Sequence, residues 1–156
     1  MKSFKVLTVC LGNICRSPAA QGILEKIASE NNMFLELDSA GTAAYHLGKS
    51  PDPRSTSAVR KNGVNITGQK ARQVMLSDFD EFDWILAMDK ENLANLHKIQ
   101  PEQSRAKLVM FGEFSSQVSF GEVDDPYYGG DEGFDLMREH LTEISNAFVR
   151  HLKHQI

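Results

Sequence analysis

Residues 4–10 read FKVLTVC, a β-rich run that is apolar without alternating. A strand with one wet face alternates, whereas a strand covered on both faces does not. This segment restricts the chain to folds in which a sheet lies between layers of helix, and the rest of the sequence provides the layers. Gly12-Asn13 is a turn signal, and Ser17-Pro18 predicts a helix N-cap followed by proline at the first helical position. Ala19 to about Glu30 is helical by composition, with Ile23, Leu24 and Ile27 as its apolar stripe, Ala20 adding to it, and Asn31-Asn32 ending it. A second strand is predicted from near Phe34 to Gly41. The loop GTAAYHLGKSPDP leads to a short helix, Arg54 to Lys61, closed by Gly63. Ser77 to Phe82 reads as a short helical turn or a loop. DWILAM at Asp83–Met88 is a third strand, after which Asp89 is placed to cap the helix KENLANLHKI. Ala106–Phe111 is a fourth strand. A long polar and aromatic loop, GEVDDPYYGGDEG, precedes a last helix from about Phe134 to Leu152, where Phe134, Met137, Leu141, Ile144 and Phe148 share one face. Strand and helix alternate four times. This predicts an α/β fold: a single domain over residues 1–156, with a central four-stranded parallel sheet and helices on both faces. Ligands in such folds bind beyond the C-terminal ends of the strands, and Cys10 stands at such an end.

Composition narrows the functional classes. The chain has 156 residues, 41% hydrophobic and 24% charged, with net charge −4, which suits one ordinary globular domain. Its basic residues are scattered, so no nucleic-acid footprint is visible. No stretch approaches the ~18 apolar residues of a membrane span. The run VLTVCL is broken by Gly12-Asn13 and Arg16, which argues against a signal peptide. Cys10 and Cys15 are too few for a disulfide framework, and a reducing, cytoplasmic location is expected.

The stretch VCLGNICRSP, Val9 to Pro18, carries the chemistry. A strand, a tight loop and a helix start leave backbone N–H groups without intrahelical partners, and with the helix dipole these make an anion site. The nucleotide loop GxxxxGK[ST] and the dinucleotide loop GxGxxG are absent. Zinc is a poor fit, with two cysteines and no histidine at a familiar spacing, and no metal or cofactor is expected. A helix N-terminus and a nearby arginine both favour a thiolate at Cys10, while Arg16 can grip two phosphate oxygens in a planar fork. The loop of Leu11, Gly12, Asn13, Ile14, Cys15 and Arg16 would hold the non-bridging oxygens. That arrangement suits phosphoryl transfer through a cysteinyl-phosphate. The plainer alternative is a buried strand-end cysteine and a surface arginine. Cys15 is either a small apolar filler or a redox partner for Cys10.

Ester cleavage needs a proton on the departing oxygen. Asp125, kept extended by Pro126, lies on the loop after the last strand and is the best candidate. Tyr127 and Tyr128 offer an aromatic wall, although Tyr128 reads equally well as core, and the whole segment as a solvent loop. Asp89 reads as a helix cap or as a residue facing the same edge. Asn13 is placed to bond across the loop, Ser39 to reach it, and Ser17 to give the sulfur a hydroxyl.

VCLGNICRSP resembles the signature loop of the low-molecular-weight protein tyrosine phosphatases. DSAGT at Asp38–Thr42, ILAMDKEN at Ile85–Asn92 and DDPYYG at Asp124–Gly129 match that family in order and separation. The resemblance implies that Cys10 is the nucleophile, that Arg16 binds phosphate and stabilises the transition state, and that Asp125 is the general acid and then the base for water. It implies that Asn13 and Ser39 hold the loop, Ser17 assists the thiolate and Asp89 supports the site. Leu11, Ile14, Tyr45 and Tyr127 would line the slot for a phenol ring, and Cys15 would trap an oxidised Cys10. Gln69 falls near a position where animal members carry a histidine. Many bacterial relatives act on tyrosine autokinases; the expected partner is a phosphotyrosine-bearing protein, with such an autokinase as one candidate that nothing in the sequence fixes, inorganic phosphate as product and no nucleic acid or membrane. Two rivals stand. A thioredoxin-coupled arsenate reductase uses a similar loop but needs further cysteines downstream of Cys15, and a phosphotyrosine-binding module would use the loop without turnover.

Overall fold

In a computed structural model of the chain, residues 3–115, 121–127 and 129–155 are described. Four parallel strands stand in the order β2-β1-β3-β4: β1 is Phe4–Cys10, β2 Leu35–Gly41, β3 Trp84–Ala87 and β4 Lys107–Met110. The helices are α1 (Arg16–Glu30), α2 (Pro53–Arg60), α3 (Asp78–Glu81), α4 (Lys90–Ile99) and α5 (Asp131–Lys153). β1 pairs along its whole length with β2, from Phe4 opposite Leu35 to Cys10 opposite Gly41, and on its other edge with β3. With both edges paired, every residue of β1 except Lys5 is buried.

The non-alternating pattern of β1 is explained by two cores. Phe4, Val6 and Cys10 face Ile23, Leu24 and Ile27 of α1 and Phe134, Leu141 and Phe148 of α5. Leu7 and Val9 face Phe79 of α3 and Leu96 of α4. Each fully buried aliphatic or aromatic side chain of this kind contributes about 1.5–3 kcal/mol. α1 packs so closely on the segment after α2 that a Cβ on Gly22 would lie 2.6 Å from Ile66 Cγ2 and 2.7 Å from Val64 Cγ1.

The predicted elements are present with shifted ends. Gly63 takes φ 76°; the Val64 N–H returns to the Val59 carbonyl and the Gly63 N–H to Arg60, a Schellman closure of α2. β4 stops at Met110, and Phe111–Phe114 form a 3₁₀ turn. α5 starts at Asp131 rather than near Phe134, with Asp131 and Glu132 in its first turn, where the positive end of the dipole favours acids. One expectation is corrected. Ser17 does not cap α1: the helix already begins at Arg16, Cys15 is the capping position, and no side chain accepts there. The Ser17 hydroxyl is engaged elsewhere, and the first-turn N–H groups stay uncapped.

Topology places the site. From β1 the chain crosses through α1 to β2 on one side, and from β3 through α4 to β4 on the other. The direction reverses between β1 and β3, which opens a crevice past their C-terminal ends. Cys10 ends β1, and Asp89 follows β3 by two residues.

Candidate active site

The loop from Leu11 to Cys15 is shaped from behind. Its carbonyls face outward: Thr42 N–H donates to Cys10 O (3.0 Å), Ala43 N–H to Leu11 O (2.9 Å) and Asp52 N–H to Ile14 O (2.8 Å). The Ser55 hydroxyl donates to Cys15 O at 2.9 Å. Gly41 lets β2 approach, because a Cβ there would sit 2.7 Å from Leu11 O and 3.1 Å from Asn13 N. With the carbonyls turned out, the backbone N–H groups of Leu11 to Cys15 find no acceptor among the described residues. Such donors form an anion-binding nest.

Asn13 holds the curve. Its φ is 58°, in the left-handed region that asparagine tolerates better than most residues. It is 3% exposed, and its amide donates to Ser17 Oγ (2.8 Å) and Ser39 Oγ (2.9 Å) while its oxygen accepts from Arg72 N–H (2.9 Å). Ser39 passes its proton toward Gln69 Oε1 at 3.4 Å, and Gln69 donates to the Pro18 carbonyl at 3.1 Å. Gln69 thus closes a bridge between the loop's support and the first turn of α1. Arg72 is fixed in turn by the buried Asp78, through two contacts of 3.0 and 3.1 Å, and by Asp38 at 3.1 Å.

Cys10 is 2% exposed, and its sulfur lies 3.0 Å from Ser17 Oγ. Arg16 is equally buried. Its Nη1 donates to Asp89 Oδ2 (2.6 Å) and to the Val123 carbonyl (3.0 Å), and Nη2 lies 3.6 Å from Asp125 Oδ2. Its Nε has no partner among the described residues. One edge of the guanidinium is anchored while the Nε edge remains for an oxyanion, the geometry of a bidentate grip. Burial alone would lower the Arg16 pKa, but the charge of an ionised Cys10 and the hydrogen bond that Arg16 donates to Asp89 more than offset this and hold it above its ordinary value. Asp89 serves in both of its foreseen roles, since Oδ1 caps α4 by accepting from Asn92 N–H at 2.7 Å while Oδ2 holds Arg16. Burial first, then the charges of Asp52, Cys10 and Asp125, push the Cys15 thiol far up. Cys10 and Cys15 are both free.

A pocket of about 110 Å³ leads to the sulfur. Cys10 and Arg16 lie at its base, Leu11, Ile14, Tyr45 and Tyr127 form the foreseen walls, and Asp125 lines it as well. The Asp125 side chain is 40% exposed, and its Oδ1 accepts from Tyr127 N–H at 3.0 Å. Tyr45 is 71% exposed, so it is a rim rather than a floor. Tyr128, the other predicted wall residue, lies outside the described residues. Three residues were missed in the sequence. His46 lines the pocket with its ring against Tyr127 (centroids 6.2 Å apart); a lone histidine in a loop carries no spacing signal. Ser55 is equally silent. Asp52 had a readable signal, an Asp-Pro pair at a helix start, and it does cap α2 by accepting from Arg54 N–H at 2.8 Å. No group of His, Cys, Asp and Glu among the described residues is arranged to hold a metal ion, and none of their helices is long and apolar enough to cross a membrane.

Residues 5–156 match the model of the family described as low molecular weight phosphotyrosine protein phosphatase. A protein of that name from Schizosaccharomyces pombe is 45% identical over 153 residues, 96% of this chain and 97% of the relative. A crystal structure of a protein tyrosine phosphatase from Entamoeba histolytica, with Hepes in its active site, superposes with TM-score 0.92 at 36% identity, covering 97% of this chain and 98% of that one. A Drosophila arginine phosphatase superposes with TM-score 0.90 at 30% identity, covering 96% and 98%.

Proposed function

Given that the chain belongs to the low-molecular-weight phosphotyrosine protein phosphatases, we propose that it hydrolyses protein phosphotyrosine in two in-line steps at Cys10, without a metal. The observation that carries this is the convergence of four things at one pocket: the Cys10 sulfur, the outward-turned loop that leaves its N–H groups bare, the unpartnered Nε edge of Arg16, and Asp125 at 3.6 Å from Arg16 Nη2.

In the first step the Cys10 thiolate attacks phosphorus, the S–P bond forms as the P–O bond breaks, and Asp125 gives its proton to the phenolate oxygen. In the second, Asp125 takes a proton from water as the water oxygen attacks phosphorus. The S–P bond breaks, inorganic phosphate leaves and the thiolate returns. The loop amides and Arg16 balance the charge that collects on the equatorial oxygens. The Ser17 hydroxyl, directed to sulfur by the Asn13 amide, stabilises the thiolate when it is released.

Leu11, Ile14, Tyr45 and Tyr127 give a wall that suits a phenyl ring, whereas a guanidinium, which needs acceptors for its N–H groups, would draw on the Asp125 carboxyl group that the leaving oxygen needs as its acid. This favours phosphotyrosine over the phosphoarginine suggested by the Drosophila neighbour's activity. An arsenate reductase relay is disfavoured, since no cysteine follows Cys15. A binding module without turnover is disfavoured by the presence of both Cys10 and Asp125 in the pocket. The partner is a phosphotyrosine-bearing protein, a bacterial tyrosine autokinase being one such substrate, met in the cytoplasm. Cys15 guards a Cys10 already oxidised to its sulfenic acid, its sulfur displacing water to form a disulfide.

The test is turnover of peptides bearing phosphotyrosine, phosphoserine or phosphoarginine, with Cys10→Ser as control and trapping of phosphocysteine by mass spectrometry. Rapid turnover of phosphotyrosine alone, lost in Cys10→Ser, is expected. Equal rates on phosphoserine, or wild-type turnover by Cys10→Ser, would overturn the proposal.

A further inference from the structure

The segment carrying Asp125 has two anchors. Upstream, Val123 is fully buried; its N–H donates to Met88 O at 2.7 Å and its carbonyl accepts from Arg16. Downstream, Gly129 N–H donates to Pro126 O at 2.8 Å. Arg54 ties Tyr127 and Gly129 to the body of the protein, beside the contact of Tyr127 with His46. Its guanidinium carbon lies 5.5 Å from the Tyr127 ring centroid and 4.6 Å from that of Phe134, and Nη1 donates to Gly129 O at 3.3 Å.

Arg54 is itself fixed. Asp52 holds it in a fork, with Nε to Oδ1 at 3.1 Å and Nη2 to Oδ2 at 3.0 Å, and the Asp52 N–H is bonded to Ile14 O of the phosphate loop. A continuous set of contacts therefore runs from Ile14 of the phosphate loop, through Asp52 and Arg54, to Tyr127 and Gly129 downstream of Asp125. The Arg54 side chain is 37% exposed and takes no part in the proposed chemistry, so a purely packing role leaves its fork and its position over two aromatic rings unexplained.

We propose that Arg54 is a positioning residue for the general acid, coupling the Asp125 segment to the phosphate loop so that the carboxyl group stays over the leaving oxygen. The inference rests on the assignment of Asp125 as the acid, and its test separates the two. A poor leaving group such as phenolate needs the proton far more than p-nitrophenolate does. A displaced acid therefore steepens the dependence of kcat/KM, which reports the first step, on leaving-group basicity. A general loss of structure lowers all substrates alike.

The experiment measures kcat/KM for phenyl phosphate and p-nitrophenyl phosphate with wild type, Arg54→Ala, Arg54→Lys and Asp125→Asn, together with inhibition by inorganic phosphate. For Arg54→Ala the expected loss is about tenfold on phenyl phosphate, a part of the full ~10²–10⁴-fold worth of acid catalysis, with a much smaller loss on p-nitrophenyl phosphate. Phosphate inhibition should be unchanged. Arg54→Lys keeps the charge near the rings but loses the fork, and should fall between wild type and alanine. Equal losses on both substrates, or none, overturn the inference, and if Arg54→Ala does not fold the lysine variant decides by the same comparison. If Asp125→Asn itself shows no steepening, the acid assignment fails. If it steepens while the Arg54 variants do not, only the positioning role fails.

Discussion

Replacing Ser17 by alanine removes one oxygen from a fully buried site and tests the electrostatics of the sulfur directly. The Asn13 amide already donates to Ser17 Oγ at 2.8 Å, so the serine's own proton is free to point at Cys10 Sγ, 3.0 Å away, rather than at the more distant Ala40 carbonyl at 3.4 Å. The variant takes the Ser17 acceptor from one Asn13 amide hydrogen but leaves Asn13 bonded to Ser39 and Arg72. A hydrogen bond to a charged group is worth about 1.5–3 kcal/mol. The two steps feel its loss unequally. In the first step the sulfur gives up its charge, so a less stabilised thiolate is also a more reactive one, and part of the loss cancels. In the second step charge returns to sulfur as the S–P bond breaks, and the whole loss falls on the barrier. We expect dephosphorylation to slow by roughly tenfold to a hundredfold and to limit turnover. Stopped-flow with p-nitrophenyl phosphate should show a burst of about one p-nitrophenol per enzyme, followed by the slow steady rate, with phosphocysteine accumulating. A steady rate within about twofold of wild type, or a loss without a burst, would refute the claim that this hydroxyl serves the departing sulfur.

Further expectations follow from the same geometry. Gly41→Ala puts a methyl group 2.7 Å from Leu11 O, so the loop must shift; a loss of about 1–3 kcal/mol in unfolding free energy with weaker phosphate inhibition is expected, and unchanged inhibition would count against the close fit. Asp89→Ala strips Arg16 Nη1 of its carboxylate and α4 of its cap; a lower Tm and a higher KM for phosphotyrosine peptides are expected, and a change in neither would contradict the anchoring of Arg16. Burial would by itself raise the Asp52 pKa, but its hydrogen bonds from Arg54 hold it below the ordinary carboxylate range. Its contribution to stability is therefore full above about pH 4 and is lost as pH falls through the lower folded value. The Tm gap between wild type and Asp52→Asn should be widest near neutrality and close in acid, and a gap that widens as pH falls would reverse the sign. Burial keeps the Cys15 thiol protonated at neutral pH, so iodoacetate should label Cys10 and spare Cys15 in peptide mapping; labelling of Cys15 first would contradict this.

Much of this protein was legible along the chain because its signals are local. β1 lacks alternation because both of its faces are covered from Val6 to Cys10, and that fact is written into five consecutive residues. The strand-loop-helix unit around Cys10 and Arg16 is continuous in sequence, so the thiol, the turn and the guanidinium could be read together. Asp125, which lines the pocket, could be singled out because proline marks the residue before it.

Other features depend on residues brought together from distant parts of the chain. The sequence around Ser17-Pro18 signals a cap, and only the folded loop shows that α1 starts earlier, because Asn13 and Cys10 engage the hydroxyl that would have capped it. The division of Asp89 between α4 and Arg16 spans 73 residues, and the Arg54 contact to Gly129 spans 75. No spacing rule relates residues so far apart, since their meeting follows from the order of strands in the sheet. The types of group the site needs are thus determined by local sequence, whereas which edge of Arg16 stays open and which groups surround Asp125 are decided by the strand reversal between β1 and β3, which brings those loops to one crevice.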